Sequence, residues 1–417
     1  MALNKTPVTG MRDILPREME IRDYCISLIK ETYRSFGFTP IETPLAETLG
    51  NLLSKQGGDN EKLIFKILKR GEKLKIESAK TEEDLADSGL RYDLTVPLVR
   101  YYSAHGNELS KPFKALQIGP VFRADRPQRG RYRQFYQCDI DIIGESGIAA
   151  EIDLFLATST LLGRLGFQNF TIHLNDRRLL KAMAAYCGIG EARFDEAFII
   201  WDKMDKIGLD GVLKEMTENG FPAECVAAYE KLSMALKAAE MPLKALAALL
   251  AGNTETERQI SDLEAIIEAV GQAATVPFKV RFDPTLVRGM SYYTGPIFEL
   301  ELDGFGGSSG GGGRYDELVG KFTGQPVPAC GISIGFERLI LILTESGFTV
   351  PGSGAKKAYL LEKNLPQEKA AEIRVKAAKE RAEGKTVLVG TLMKNKKFQK
   401  DQLFAEGYGE IEEIYSR

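Results

Sequence analysis

The sequence predicts an α+β fold: a sheet-based domain carrying a helical insertion, followed by a small α/β domain at the C-terminus. Three observations carry this expectation. Two strands are read between Lys111 and Gly144, the second with a two-residue period. Residues from about 175 to 271 are rich in Ala, Leu, Lys and Glu with helical periodicity and few turn signals. The last ~60 residues alternate β, α, β, α. The chain has 417 residues, enough for two or three domains at ~150 residues each. The expected boundaries are 1–350 for the main domain, 175–271 for the insertion within it and 355–417 for the last domain.

In order along the chain, Pro16 opens an amphipathic stretch in which Ile21, Tyr24, Cys25, Leu28, Ile29 and Phe36 recur at helical spacing before Gly37. Pro40 and Pro44 in FTPIETPLAE forbid helix and indicate an edge strand or interface segment. RYDLTVPL is read as an extended piece ending at Pro97, with Asp93 and Thr95 on one side. That carboxylate and hydroxyl suit an ammonium ligand, or the cap of the next helix. The two strands after Lys111 are joined by the charged loop ADRPQRGR. One face of the second strand carries Tyr132, Tyr136, Cys138, Ile140 and Ile142; the other carries Arg133, Phe135, Gln137, Asp139 and Asp141. An apolar face belongs against a core, whereas the second face resembles a pocket floor. After the helical stretch come strands in FKVRFDP and PIFELELDGF, a glycine-rich loop, and CGISIGFERLILIL, a strand running into an apolar helix. PGSGAKK at 351–357 reads as a linker.

Composition narrows the function. Hydrophobic residues make up 44% and charged residues 27%, enough to bury a core. A net charge of −3 gives no global attraction for nucleic acid, so any RNA contact must come from local patches. Cys25, Cys138, Cys187, Cys225 and Cys330 form no CxxC pair, which argues against a cysteine zinc site and suits a reduced compartment. His105 and His173 are the only histidines and neither adjoins a plausible nucleophile, which argues against a serine–histidine triad. No stretch approaches the ~20 apolar residues of a membrane span, and the chain is expected to be cytoplasmic.

Four stretches have residue types suited to chemistry. Arginines at 123, 126, 129, 131 and 133 form a guanidinium cluster that matches phosphate oxygens, with Phe135 placed to stack on a base; the alternative is a solvated hairpin tip. LVRGMSYYTG presents Arg288 beside Tyr292 and Tyr293, although tyrosine pairs are often core. GFGGSSGGGGRY, ending at Tyr315, allows close backbone approach to a ligand, but its spacing does not match a dinucleotide-binding loop. GISIGFER puts Arg338 in the first turn of a helix, where the dipole does not favour a cation and a positional demand is plausible.

Together and in this order, RYDLTVPLVRYY, FRADRPQRGRYRQFYQCDIDIIG, LVRGMSYYTG, GGGRYDELVGKF and GISIGFERL resemble the signature segments of histidyl-tRNA synthetases; GMRDILP and FTPIETP fit the same family. The similarity runs from about residue 8 to 345. It implies a class II synthetase fold, an antiparallel sheet flanked by helices, in a homodimer with an anticodon-binding C-terminal α/β domain. It implies histidine, ATP with Mg2+ as a substrate complex, and tRNA(His) as partners, with no dedicated metal site. Carried over by residue, Arg123 and Arg288 would hold the α-phosphate, with Arg131 also contacting ATP. Arg338 would meet the γ-phosphate and one face of adenine, and Phe135 the other face. Asp93, Thr95 and Gln137 would bind the α-amino group. Asp141 and Tyr293 would hold the imidazole nitrogens, and Tyr292 and Tyr315 would line that pocket.

Three departures are visible. Asp141 stands where the family commonly has glutamate, Ser291 where it usually has aspartate, and the C-terminal domain is short. The run Lys394, Lys396, Lys397 and Lys400 could touch RNA or form a solvated helix face. One alternative is a non-catalytic, histidine-sensing regulatory subunit of ATP phosphoribosyltransferase, which has the same fold but usually loses the ATP-handling arginines and the C-terminal domain. The other is a histidine-activating enzyme with a non-tRNA acceptor, to which the short tail points.

Overall fold

The computed structural model describes residues 3–53, 58–288, 292–303, 306–351 and 356–416. Ser291 and most of the 351–357 linker therefore lie outside the described residues. In chain order the strands are β1 (Thr39–Pro40), β2 (Ala46–Thr48), β3 (Lys66–Leu68), β4 (Ala86–Leu90), β5 (Phe113–Phe122), β6 (Gln134–Ile143) and β7 (Thr171–Asp176). They continue with β8 (Lys279–Phe282), β9 (Pro296–Glu301), β10 (Ser308–Arg314), β11 (Ala329–Gly335), β12 (Lys356–Leu361), β13 (Val387–Thr391) and β14 (Tyr408–Ile414).

The chain divides into two compact units. One takes the chain up to Arg12 together with Ser27–Leu339; the other takes Asp13–Ile26 and the chain from Ile340 onward. The first is built on an eight-stranded sheet of order β1-β5-β6-β11-β10-β9-β7-β8. Its inner pairings are antiparallel, while the edge pairs β1–β5 and β7–β8 are parallel. A smaller antiparallel sheet, β2-β4-β3, belongs to the same unit.

The period of β6 explains how the large sheet is covered. Cys138, Ile140 and Ile142 are almost wholly buried on one face. There the helix Ala149–Arg164 contributes Leu154, Phe155, Leu161 and Leu162, and the Phe155 ring meets Phe298 of β9 edge-on at 4.9 Å. Gln137, Asp139 and Asp141 on the opposite face are buried too, so that face has its own cover and must satisfy polar groups.

Arg314, the last residue of β10, closes one end of this arrangement. Its Nε and Nη2 each lie 2.8 Å from the carboxylate of Glu151 in that helix's first turn. Nη1 donates to the Glu145 carbonyl at 3.0 Å, and Nη2 also donates to that of Gly147 at 2.9 Å. Glu151 is completely buried. Removing the cation would leave a buried carboxylate uncompensated, so Arg314→Ala is expected to cost about 3–5 kcal/mol in denaturant unfolding. A loss below about 1 kcal/mol, the range of surface pairs, would show that water reaches the pair.

Between β7 and β8 the described chain is helical, from Arg177–Tyr186 to Thr254–Ala273. Asp176 caps the first of these helices through Arg178 N, and Asn253 caps the last through Glu255 N and Thr256 N. Trp201 stacks on Tyr229 at 4.3 Å in their midst.

The second unit holds a parallel three-stranded sheet, β13-β12-β14, with the helices Gln367–Ala382 and Lys396–Ala405. It ends on a strand, β14, that the sequence reading did not foresee. Of the lysine run, Lys396 and Lys400 pair with Glu413 of that strand, while Lys394, Lys396 and Lys397 are exposed. No helix among the described residues is long and apolar enough to cross a membrane.

Two local expectations need correction. The glycine-rich run is not a loop, because Ser308–Arg314 is an inner strand of the large sheet. Glycine is disfavoured in strands on propensity, and close approach from both sides overrides that here. The piece containing Asp93 does not stay extended to Pro97: a helix begins at Thr95, and Asp93 Oδ1 accepts from Val96 N at 3.0 Å.

Candidate active site

The inward face of β6 sets the site. Gln137, Asp139 and Asp141 follow one another at two-residue spacing, ~6–7 Å apart along the strand. Pairing extends each into a row across the sheet. Asp139 sits opposite Gln117 of β5 and Ser333 of β11; Ser333 faces Gly311, Gly311 faces Glu299 and Glu299 faces His173. The next row runs Asp141, Gly331, Gly313, Ile297.

The glycines in these rows clear the floor. A Cβ on Gly331 would come within 1.9 Å of Asp141 Oδ1, and one on Gly311 within 2.7 Å of Arg288 Nη1. Only glycine lets strand and side chain share the space.

Over this floor lies a cleft of about 330 Å3, lined by Tyr92, Arg123, Arg131, Phe135, Arg288 and Arg338 among others. Next to it lies a smaller recess of about 90 Å3, lined by Asp93, Thr95, Asp139, Asp141, Tyr292, Tyr293 and Tyr315. Arg123, Gln137, Arg288, Gly311 and Ser333 line both, so the two spaces adjoin. Every residue to which the family resemblance gave a phosphate, base or amino-acid contact lines one of them.

Two of the cations are held by named partners. Arg123 Nε donates to the Tyr92 carbonyl at 3.1 Å, and its guanidinium lies 4.3 Å from the Tyr92 ring centre and 5.2 Å from that of Phe135. Arg288 adopts φ +61°, a left-handed conformation costly for a residue with a Cβ, and its Nη1 meets Glu299 at 2.9 Å. Burial lowers the pKa of Arg338, and repulsion by Arg131 and Arg288 adds to this. These guanidiniums thus share one electrostatic environment, and arginine stays cationic in it. Such a cluster suits a polyanion such as a triphosphate.

The recess has opposite character. Tyr315 donates to Asp141 Oδ1 at 2.6 Å, while Asp141 Oδ2 is buried with no hydrogen-bond partner. Burial raises the Asp141 carboxyl above its ordinary range, and the charge of Asp93 adds to that. Asp139 is raised too, by burial and then by Asp141. Tyr292 stands edge-on to Tyr293 at 4.8 Å and to Tyr315 at 6.2 Å. A slot with buried carboxylates and hydroxyls selects a ligand that offers matching donors, because an analogue without them leaves polar groups unpaired.

Not all the arginines of the loop contribute. Arg126, Arg129 and Arg133 do not line the cleft. Arg133, placed on the pocket face by its period, instead donates to the carbonyls of Asp125 and Thr9. Other residues had been given no role. Asp139 and Ser333 line the recess, and Glu299 anchors Arg288. Glu337 accepts from Tyr136 N at 3.1 Å and meets Arg12 at 3.4 Å, tying the GMRD segment to the strand–helix join beside Arg338. The alternation of β6 puts Asp139 on the pocket face but gives it no role; the others depend on strand neighbours far away in sequence.

Comparison with known proteins gives consistent matches. The family model described as histidyl-tRNA synthetase matches residues 10–339. A histidine–tRNA ligase of Leifsonia xyli subsp. xyli is 43% identical over 420 residues, covering 98% of this chain and 95% of that protein. Among solved structures, a histidyl-tRNA synthetase from Nostoc sp. PCC 7120 has a TM-score of 0.77 at 27% identity, covering 98% of this chain and 90% of that one. A Bacillus halodurans protein described as an ATP phosphoribosyltransferase regulatory subunit/histidyl-tRNA synthetase has a TM-score of 0.78 over 99% of both chains. At 20% identity, that likeness shows the fold alone.

Proposed function

The chain belongs to the histidyl-tRNA synthetase family and is a histidine–tRNA ligase, and from that premise we propose how its residues carry the reaction. Histidine lies with its imidazole between Asp141 and Tyr293 and its α-ammonium near Asp93, Thr95 and Gln137, while Tyr292 and Tyr315 wall the slot. ATP enters with Mg2+ as its substrate complex; Phe135 and Arg338 enclose adenine, and Arg338 and Arg131 meet the outer phosphates. The histidine carboxylate attacks the α-phosphorus. An O–P bond forms, the bond to the bridging oxygen breaks, and pyrophosphate leaves. Arg123 and Arg288 balance the charge that grows on the α-phosphate. No general base is needed, because the nucleophile is already an anion. The terminal ribose hydroxyl of tRNA(His) then takes the histidyl group and AMP departs.

The observation that carries this reading is the adjacency of a guanidinium-lined cleft and a carboxylate-floored recess, with Arg288 lining both. The five cysteines, all buried and none in a disulfide, suit the reduced cytoplasm, where we place the enzyme. We also infer a homodimer, checked by sedimentation at micromolar concentration. The deciding assay is histidine-dependent exchange of pyrophosphate into ATP, followed by charging of tRNA(His), and both are expected. Exchange without charging would mean another acceptor, and neither activity would mean a histidine sensor.

A further inference from the structure

The recess holds a carboxylate that the mechanism above does not use. Asp139 is 3% exposed, lines the recess between Gln137 and Asp141, and forms no ion pair among the described residues. Its neighbours neutralise it only in part: the Ser333 hydroxyl is hydrogen-bonded to it, and the charge of Arg123 acts on it without an ion pair. Gln137 Nε2 approaches both its oxygens only at 3.4 Å, and donates better to the Ser333 hydroxyl at 2.9 Å. Gln117, across the strand, is engaged with Leu94 and Thr43. A buried carboxylate without a cation is costly and is commonly kept where a ligand supplies the missing charge.

We propose that Asp139 is a substrate-binding residue whose carboxylate, with Asp93 and the amide oxygen of Gln137, receives the three hydrogens of the amino acid's α-ammonium. This rests on reading the recess as the histidine site.

Position favours the ammonium over the imidazole. Gln137 and Ser333, which flank Asp139, line both cleft and recess, whereas Asp141 and Tyr315 line the recess alone. The carboxylate that attacks phosphorus must face the cleft, so the ammonium on the same carbon lies beside it. The imidazole points on toward Asp141, ~6–7 Å further along β6. The acceptor count also fits, because an ammonium has three donors. Gln137 Oε1 is buried with no hydrogen-bond partner, and Asp139 forms no ion pair among the described residues.

The test separates ammonium from imidazole recognition. Histidine, histidinol (ammonium but no carboxylate) and imidazolepropionate (carboxylate but no ammonium) are titrated by calorimetry into the full-length protein and Asp139→Asn. The variant is expected to bind histidine and histidinol about 10- to 100-fold more weakly, the range for a lost charged hydrogen bond, with imidazolepropionate unchanged within about twofold. Equal losses for all three ligands, no loss for any, or a loss confined to imidazolepropionate overturns the assignment. Should Asp139→Asn fail to melt cooperatively, Asp139→Ser is titrated instead, with the same outcomes. A wild-type protein that binds none of the three refutes the histidine site itself, which is a different failure.

Discussion

Arg288→Ala is expected to slow histidine-dependent pyrophosphate exchange by about 10²–10³-fold, the usual effect of losing one contact to a developing charge. Histidine affinity should stay within a few fold. The guanidinium lies where cleft and recess meet, anchored through Nη1 to Glu299, while its Nε is buried with no hydrogen-bond partner. Holding a cation-bearing side chain at φ +61° costs stability, which makes sense if the aim of that side chain matters more than backbone comfort. The backbone also supplies a control. Arg288→Gly removes the same charge but relieves the left-handed conformation, so it should be as slow as Arg288→Ala and melt at a higher temperature. An equal fall in histidine affinity and exchange rate would move Arg288 from the transition state to ground-state binding.

Asp141→Asn is expected to weaken histidine binding by about 10- to 100-fold, since a hydrogen bond to a charged group is worth ~1.5–3 kcal/mol. Asparagine keeps the shape against Gly331 and can still accept from Tyr315, so the change isolates the charge. The pH dependence has a defined sign. Burial raises the folded-state pKa of Asp141 above the ordinary carboxylate range, so the carboxylate form fills only as pH climbs through that raised value. Histidine affinity of the wild type should therefore fall as pH drops through it, beyond the loss caused by protonating free imidazole. Asp141→Asn should lack that component.

Stability runs the other way. A raised folded pKa contributes stability below the unfolded value of about 3.9 and loses it as pH rises through the folded one. The ligand-free variant should accordingly melt higher than wild type near neutral pH. Calorimetric titration across pH checks the first expectation and thermal melts the second. An unchanged histidine affinity would remove Asp141 from the imidazole site.

How far the sequence could be read depended on the range of the interactions. The polar face of β6 was legible because alternation is a property of consecutive residues, and it picked out Phe135, Gln137, Asp139 and Asp141 together. The same rule misplaced Arg133, whose side chain turns to carbonyls of Asp125 and Thr9. The glycines of β10 read as a loop because their reason for being in a strand lies on other strands. Glu299, Ser333 and Glu337 carried no signal, since each acts on a residue brought near only by the fold.

By itself, then, the sequence determined which side chains were available, with what charge and at what local period. A guanidinium or a carboxylate has its chemistry wherever it sits, and a strand's two faces follow from its own bonds. Only the tertiary structure decided that Tyr315 reaches Asp141 across 174 residues, and that Arg123, Arg288 and Arg338 line one cleft. Strand order and register are set by which faces bury against which, a many-body outcome of packing over the whole sheet. No short stretch of chain contains that information.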